Sequence, residues 1–563
     1  MKRAVLAATL AVFAVALACA RREPVREAGA AADKPAVAAD ALHLTFTYGS
    51  EKEAWIRKVT ADFNAAGHNS QDGHPIYVDA IPMGSGDCLD ELLNDRRQAD
   101  ITSPASAVFI RLGNAQWRAK TGKDLVASTE TLVLSPVVIA MWKPMAEALG
   151  WPAKRLGWKD LLALGQDGRG WAAHGHPEWG AFRFGHTSPE SSNSGLISIL
   201  AETYAATGKK SGLRAADVAD ANTAAFVAGI ERSVVHYGSS TGFFGRKMFA
   251  NGPQYLSAAV LYENMVIESY GQSPPTQFPV VAIYPSDGTF WSDHPIGIVN
   301  REWVTPVKQA AARTYIDYLL AKPQQEQALP FGFRPGSPEV AVGAPVDAAH
   351  GADPAQPQTT LEVPSVDVVD AAMALWHREK KHADITLVFD KSGSMAEQGK
   401  IQSAREAAAQ LLNLLGDDDV FSYLPFSNSS AWAAEQVPVK TGRAAALGQI
   451  SNTWTGGGTA LYDAIDTAYR AQLARAQTDA NRISAIVVLT DGADTDSRIE
   501  LEALLKEIRY DNEHRTIRIF TVAYGEDAKA DVLTRIADAT EARFYKGDPR
   551  NIRAVLREIS TFF

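Results

Sequence analysis

Residues 384–395, DITLVFDKSGSM, constrain the fold of this chain more than any other stretch. The run 385–389 is short, apolar and β-branched, so it reads as a buried strand that ends at Asp390 and turns at Gly393. Asp390, Ser392 and Ser394 then follow at alternate positions just beyond the strand's carboxyl end. One carboxylate with two hydroxyls is a hard-oxygen set, suited to Mg²⁺ or another divalent ion and unsuited to a soft metal that prefers thiolates. Ser and Asp also fill turns for purely local reasons, so this turn needs support from elsewhere in the chain.

Two later stretches supply it. Thr459 follows three glycines in WTGGGTALYDAI, at the start of a helical pattern, and Asp491 ends the apolar run 486–490 and is followed by Gly492. In an open parallel sheet the carboxyl ends of the strands share one crevice, so Asp390, Ser392, Ser394, Thr459 and Asp491 can converge on one ion. Strands at 385–389, 420–426, 485–490 and 517–523 alternate with helices at 401–415, 459–470, 498–510, 528–539 and 549–560, which argues a doubly wound sheet.

Residues 383–563 resemble the von Willebrand factor type A domain and its metal-ion-dependent adhesion site. The family's Asp-x-Ser-x-Ser turn, distant Thr and later Asp fall on the five positions just named. Lys391 is the local departure, a cation where the family more often has a small or apolar residue. The resemblance implies a Rossmann-like fold, a bound Mg²⁺ (or Mn²⁺/Ca²⁺), and a coordination position open to an acidic side chain from a protein partner, as in cell adhesion.

At 563 residues the chain is too long for one hydrophobic core. Its apolar content of 46% and charged content of 21% are globular values. The net charge of −10 comes without a basic block, which argues against nucleic acid as a partner. Lys2 and Arg3 precede an apolar run that ends at Cys19, so residues 1–19 read as an export signal. A cysteine directly after such a run resembles a bacterial lipoprotein cleavage site, which implies lipidation of Cys19 and a membrane anchor facing the periplasm or exterior. Ala16 stands where that pattern prefers a larger aliphatic residue, so ordinary cleavage stays open. Residues 20–42 read as a flexible tether. The other cysteine, Cys88, has no nearby His or basic cluster and reads as a partly buried small side chain.

Residues 43–340 run in βα units. Hydroxyls and glycines gather at strand-to-helix junctions: Ser50, Ser85 and Gly86 in the first block, Thr187, Ser194 and Gly195 in the second. Such junctions aim backbone N–H groups at an anion, although Gly and Ser also make turns for their own sake. The segment 130–142 is a long apolar β stretch able to cross between lobes, and 279–299 can carry the chain back. This order resembles the two-lobed (type II-like) periplasmic solute-binding proteins, closest to members that hold oxyanions, and implies a small anionic solute. Tyr262, Glu263, Tyr284, Asp287 and Trp291 suit either a larger ligand or hinge packing.

Residues 341–382 read as a Gly-, Ala- and Pro-rich linker followed by a helix with Ala372, Leu375 and Trp376 on one side, able to pack between the halves. No histidine or nucleophile–base pair accompanies the 390/392/394/459/491 set, so an enzyme is disfavoured. The expected function is that of an exported binding protein with a solute cleft and a metal-dependent docking domain. A transporter-coupled receptor and a chelatase-like assembly factor are the alternatives that the resemblances imply.

Overall fold

The computed structural model describes residues 40–479, 482–509, 517–525, 528–540, 542–560 and 562. The export signal, Cys19 and all of the tether before Asp40 lie outside the described residues.

The first lobe is built on Leu42–Gly49, which pairs in parallel with Ile76–Met83 and Ile101–Ser103, while Pro295–Ile298 and Glu130–Thr131 extend the sheet antiparallel. Leu44, Phe46 and Tyr48 alternate into its core and meet Trp55, Ile56, Val59 and Phe63, the apolar stripe of the helix Glu53–Ala66. Gly67, at φ 69°, ends that helix in the left-handed conformation that favours glycine.

In the second lobe, Val133–Trp142 pairs antiparallel with Ala258–Tyr262 and Val280–Ile283, and Phe184–Thr187 lies in parallel between Ala258–Tyr262 and Val234–Gly238. The segment 130–142 does cross: Glu130–Thr131 belongs to the first sheet and Val133–Trp142 to the second. The return runs from Trp291–Ser292 to Pro295–Ile298. Outgoing and returning chains touch at the crossing, where Leu132 N–H donates to His294 C=O at 3.2 Å. Arg334–Pro335, paired to Leu134 and Val133, makes a third crossing.

The Gly/Ala/Pro-rich stretch after 340 is no free spacer. Ala282 N–H donates to Gly351 C=O, Leu361 N–H to Thr289 C=O, and Val346 and Ala352 bury against Ile267, all in the second lobe. The helix Val366–Glu379 likewise joins the second lobe's core through Val368, Val369, Ala372, Leu375 and Trp376, against the helices Asn193–Thr207 and Ala221–Glu231. Its buried face is wider than the three-residue stripe legible in sequence.

The C-terminal region is a six-stranded sheet in the order Ala434–Pro438, Val420–Phe426, Ala383–Asp390, Ile483–Thr490, Arg518–Tyr524, Phe544–Gly547. All pairs are parallel except the edge strand Ala434–Pro438. Leu387 and Phe389 point into one core and Val388 into the other, which is why the strand is apolar throughout. The expected alternation of strands and helices holds, with two additions: the edge strand Ala434–Pro438 and the helix Val439–Ser451. The strand is largely solvated, and the helix buries only Val439, Ala446 and Ile450, so neither leaves an apolar period to read.

Candidate functional site

At the carboxyl end of the C-terminal sheet the five oxygen-bearing residues come together. Asp390 is fully buried; its Oδ1 accepts from Ser392 N–H at 2.8 Å and its Oδ2 from Thr490 Oγ1 at 2.5 Å. Ser392 Oγ lies 3.1 Å from Ser394 Oγ, which donates to Asp491 Oδ1 at 2.7 Å. The glycine loop is zipped onto the first turn, Gly393 N–H donating to Gly457 C=O at 3.0 Å and Gly456 N–H to Lys391 C=O at 2.8 Å. This brings Thr459 Oγ1 to 3.5 Å from where a Cβ on Gly492 would stand. The loop after Asp491 holds the other side, with Asp496 Oδ2 accepting from Thr459 N–H and Asp494 Oδ1 from Leu461 N–H at the start of the helix Leu461–Thr478.

Charge at this centre departs from the sequence reading. Lys391, the cation flagged there, donates to Ser427 Oγ at 3.3 Å. The cation beside the acids is Lys400, whose buried Nζ donates to Asp491 Oδ2 at 2.7 Å from the first residue of the helix Lys400–Leu414. Nothing in the local sequence marks Lys400, since its contact spans 91 positions. Asp390 has hydrogen bonds and, among the described residues, no salt bridge, and burial pushes its carboxyl above the usual range. One buried, uncompensated carboxylate ringed by hydroxyls and a second acid is a donor set that fits a hard divalent cation. Asp390, Ser392, Ser394, Thr459 and Asp491 are the residues that would hold it, and the ion would supply an electrophilic position for an incoming carboxylate. Trp454, 75% exposed, stands in the same loop as Thr459.

Between the two lobes, three helix starts and a 3-10 turn meet. Ser50 Oγ bonds Ser240 Oγ at 2.8 Å across the seam and accepts from Gly242 N–H at 3.0 Å. Thr187 Oγ1 lies 2.8 Å from Ser194 Oγ and accepts from Gly195 N–H at 2.8 Å, while Thr241 Oγ1 donates to Ser194 Oγ at 2.9 Å. Ser85 Oγ accepts from Ala105 N–H, and Gly86 N–H donates to Ser191 C=O at 2.8 Å from the opposite lobe. Backbones approach so closely that a Cβ on Gly86 would stand 2.0 Å from Glu190 O, and one on Gly195 would stand 2.0 Å from Thr187 O. All six sequence candidates therefore lie at or beside this seam, and the donors Gly86 N–H and Gly195 N–H are bonded within the protein in this closed arrangement.

The seam also contains an ionic group that sequence reasoning missed. Lys52 Nζ donates to Glu51 Oε1 at 2.7 Å and lies 3.1 Å from His294 Nδ1, all three side chains being buried. Burial pushes Glu51 up, but Lys52 and His294 outweigh it and hold the carboxyl at about 2. Burial and the Lys52 charge lower His294 to about 4. Nearby, Asn193 Nδ2 donates to Tyr262 Oη at 2.9 Å and Ser292 Oγ at 3.1 Å, and Asn193 Oδ1 has no hydrogen-bond partner among the described residues. Of the aromatic and acidic groups considered for a larger ligand, only Tyr262 belongs to this cluster. Glu263 is held by Arg334 and Tyr284, Asp287 accepts from Trp158 N–H, and Trp291 stacks against Arg334, so these serve packing and the hinge. Cys88 is fully buried and burial raises its thiol pKa, as befits a core side chain.

A separate buried cluster of the second lobe joins His186, Glu202 and Glu231, whose ligand atoms lie within 4.8 Å of one another. It is capable of holding a divalent cation and does not involve the Asp390 set.

The family model for bacterial extracellular solute-binding proteins matches residues 44–334, and that for the von Willebrand factor type A domain matches residues 384–558. Among curated proteins, an uncharacterised protein of Synechocystis sp. is 28% identical over 175 residues, which cover 30% of this chain and 39% of that relative. The chain thus spans well under two thirds of that protein's length. Among solved structures, the sulfate-binding protein SubI from Mycobacterium tuberculosis is 20% identical, over 53% of this chain and 88% of its own, with a TM-score of 0.36. The ferric binding protein from Campylobacter jejuni is 12% identical, over 60% and 99%, with a TM-score of 0.39. A von Willebrand factor type A protein from Catenulispora acidiphila is 22% identical, over 32% and 42%, with a TM-score of 0.29.

Proposed function

Because this chain belongs to the bacterial extracellular solute-binding proteins and carries a C-terminal von Willebrand factor type A domain, we propose that it captures a small anionic solute between its lobes and docks a protein partner through a divalent cation. Both families are non-catalytic binding modules, and the protein is an exported binding protein, not an enzyme. The observation that carries the docking role is the buried Asp390 carboxylate, without a salt bridge among the described residues and ringed by Ser392, Ser394, Thr459 and Asp491. Mg²⁺, with Mn²⁺ or Ca²⁺ as substitutes, is the ion such a set favours, with waters and one partner carboxylate completing its shell. Exposed Trp454 would give that partner an apolar anchor beside the ion.

For the cleft, the reading rests on the converging helix starts at Ser85, Asn193 and Thr241, with the 3-10 turn at Ser50 beside them, whose N–H groups favour an anion. Ser50, Ser85, Gly86, Thr187, Ser194 and Gly195 would contribute donors once the lobes part and reclose on the solute. Lipidated Cys19 would tether the protein to a membrane on its periplasmic or exterior side.

Calorimetry on the mature protein tests the docking centre. Mg²⁺ should bind with one-site stoichiometry, and Asp390→Ala should abolish that binding; unchanged affinity in the variant would reject the assignment. A thermal-shift panel of phosphate, sulfate and molybdate tests the cleft, where a saturable hit should weaken in Ser85→Ala and Thr187→Ala. A flat response to all three anions rejects the solute class.

A further inference from the structure

The second lobe contains two buried carboxylates and an imidazole that the solute cleft and the docking centre do not use. His186 ends the strand Phe184–Thr187 next to Thr187, Glu202 lies on the helix Asn193–Thr207, and Glu231 ends the helix Ala221–Glu231. All three side chains are fully buried.

Their outer atoms are each anchored. His186 Nδ1 lies 2.8 Å from Thr187 C=O, an acceptor only, so Nδ1 carries the proton and Nε2 presents its lone pair inward. Tyr237 Oη donates to Glu231 Oε2 at 2.5 Å, and Ser198 Oγ donates to Glu202 Oε1 at 2.9 Å. What those bonds leave is one atom from each residue: His186 Nε2, Glu231 Oε1 and Glu202 Oε2. The first two stand 2.9 Å apart, both acceptors in the neutral-imidazole, ionised-carboxylate state. Glu202 Oε2 is buried with no hydrogen-bond partner among the described residues.

From this arrangement we infer that His186, Glu202 and Glu231 form a structural site for a transition-metal dication, of the Zn²⁺ or Mn²⁺ type. Two buried carboxylates facing one another are costly when both are ionised, and a cation between them offsets that cost. A proton shared by His186 and Glu231 bridges their 2.9 Å gap but leaves Glu202 Oε2 orphaned. An ion bonding each atom at roughly 2.0–2.2 Å engages all three with small side-chain adjustments. One nitrogen with two carboxylate oxygens suits a borderline metal better than Mg²⁺ or Ca²⁺, which take oxygen shells. The anchored outer atoms are what a metal site needs to orient its ligands. Burial on every side makes the site structural: the ion would pin the strand that carries Thr187 to two helices, on the side where Trp376 packs against Tyr237.

The site is tested in the Asp390→Ala background, so that the docking centre does not contribute metal. Protein unfolded in chelator, refolded with Zn²⁺ or Mn²⁺ and desalted should retain one ion by mass spectrometry of metals, and should melt at a higher temperature than protein refolded without metal. Refolding with Co²⁺ should give visible d–d absorption that disappears in Glu202→Gln and changes in His186→Gln. Refolded Asp390→Ala protein that retains neither Zn²⁺, Mn²⁺ nor Co²⁺ and melts identically with and without them overturns the inference, whether or not the cluster variants fold. Retention of an ion that Glu202→Gln and His186→Gln leave untouched overturns it as well. Neither result bears on Mg²⁺ binding by the wild-type docking centre.

Discussion

Lys400 changes how the docking centre should behave. Its ammonium holds Asp491 at 2.7 Å and adds positive charge where a divalent cation must approach. Lys400→Met frees the carboxylate and removes the repulsion, so Mg²⁺ should bind about tenfold more tightly, or ~1.4 kcal/mol. Without Mg²⁺ the variant should melt lower than wild type, because two buried acids then face each other uncompensated. Calorimetry and thermal unfolding with and without Mg²⁺ check both halves. His294 sets a second residue-level expectation. Its folded pKa of about 4 lies below the ordinary 6.5, so the folded state resists protonation. Stability from this group is complete above pH 6.5 and is lost progressively as pH falls from 6.5 to 4, up to about 3 kcal/mol at one unit per 1.36 kcal/mol. Glu51, at about 2, adds a loss only at lower pH. His294→Gln should therefore flatten the decline in melting temperature between pH 6.5 and 4, leaving the more acidic limb in place.

Among the elements, the helix starts at the lobe seam are the most tightly specified. Gly86 on the helix Ser85–Leu93 belongs to the first lobe and donates to Ser191 of the second, with no room for a methyl group facing Glu190 O. Gly86→Ala should wedge the lobes apart at a cost of about 1–3 kcal/mol to the closed arrangement. Small-angle scattering should then report a larger radius of gyration than for wild type, while the isolated lobes keep their secondary structure. An unchanged radius would mean that the seam yields elsewhere. The buried strands of both halves were legible because β-branched runs bounded by acids and glycines admit little else. The edge strand Ala434–Pro438 and the helix Val439–Ser451 were not, since a solvated edge and a helix touching the core at three positions leave no strong period.

For the whole molecule, the second lobe is the hub. The 341–361 stretch and the helix Val366–Glu379 both pack on it, and only Lys380, Lys381 and His382 separate that helix from the first strand of the C-terminal sheet. In the proposed closure on a solute, the first lobe would therefore move relative to a unit made of the second lobe and this helix. Upstream, the proposed lipid on Cys19 would reach the fold through the 20–42 tether. Cys19→Ser should release the protein from membranes of expressing cells, read by fractionation and palmitate labelling; a variant that stays membrane-bound and labelled would remove the lipid from this account.

The chain itself determined the doubly wound C-terminal half, through apolar strands that must be covered on both faces, and it marked the five oxygen donors, because the Asp390–Ser394 turn is matched by Thr459 and Asp491 at two later junctions of the same kind; the two lobes were legible through their resemblance to the solute-binding proteins. The chain also marked the hydroxyl- and glycine-bearing helix starts. Only the tertiary structure decided that Gly86 N–H is bonded across the lobes, that Lys400 and not Lys391 faces the acids, and that Glu51, Lys52 and His294 form one buried group. Those contacts join residues as far as 242 positions apart, and a distance of that kind is set by how sheets and helices pack, not by any local pattern.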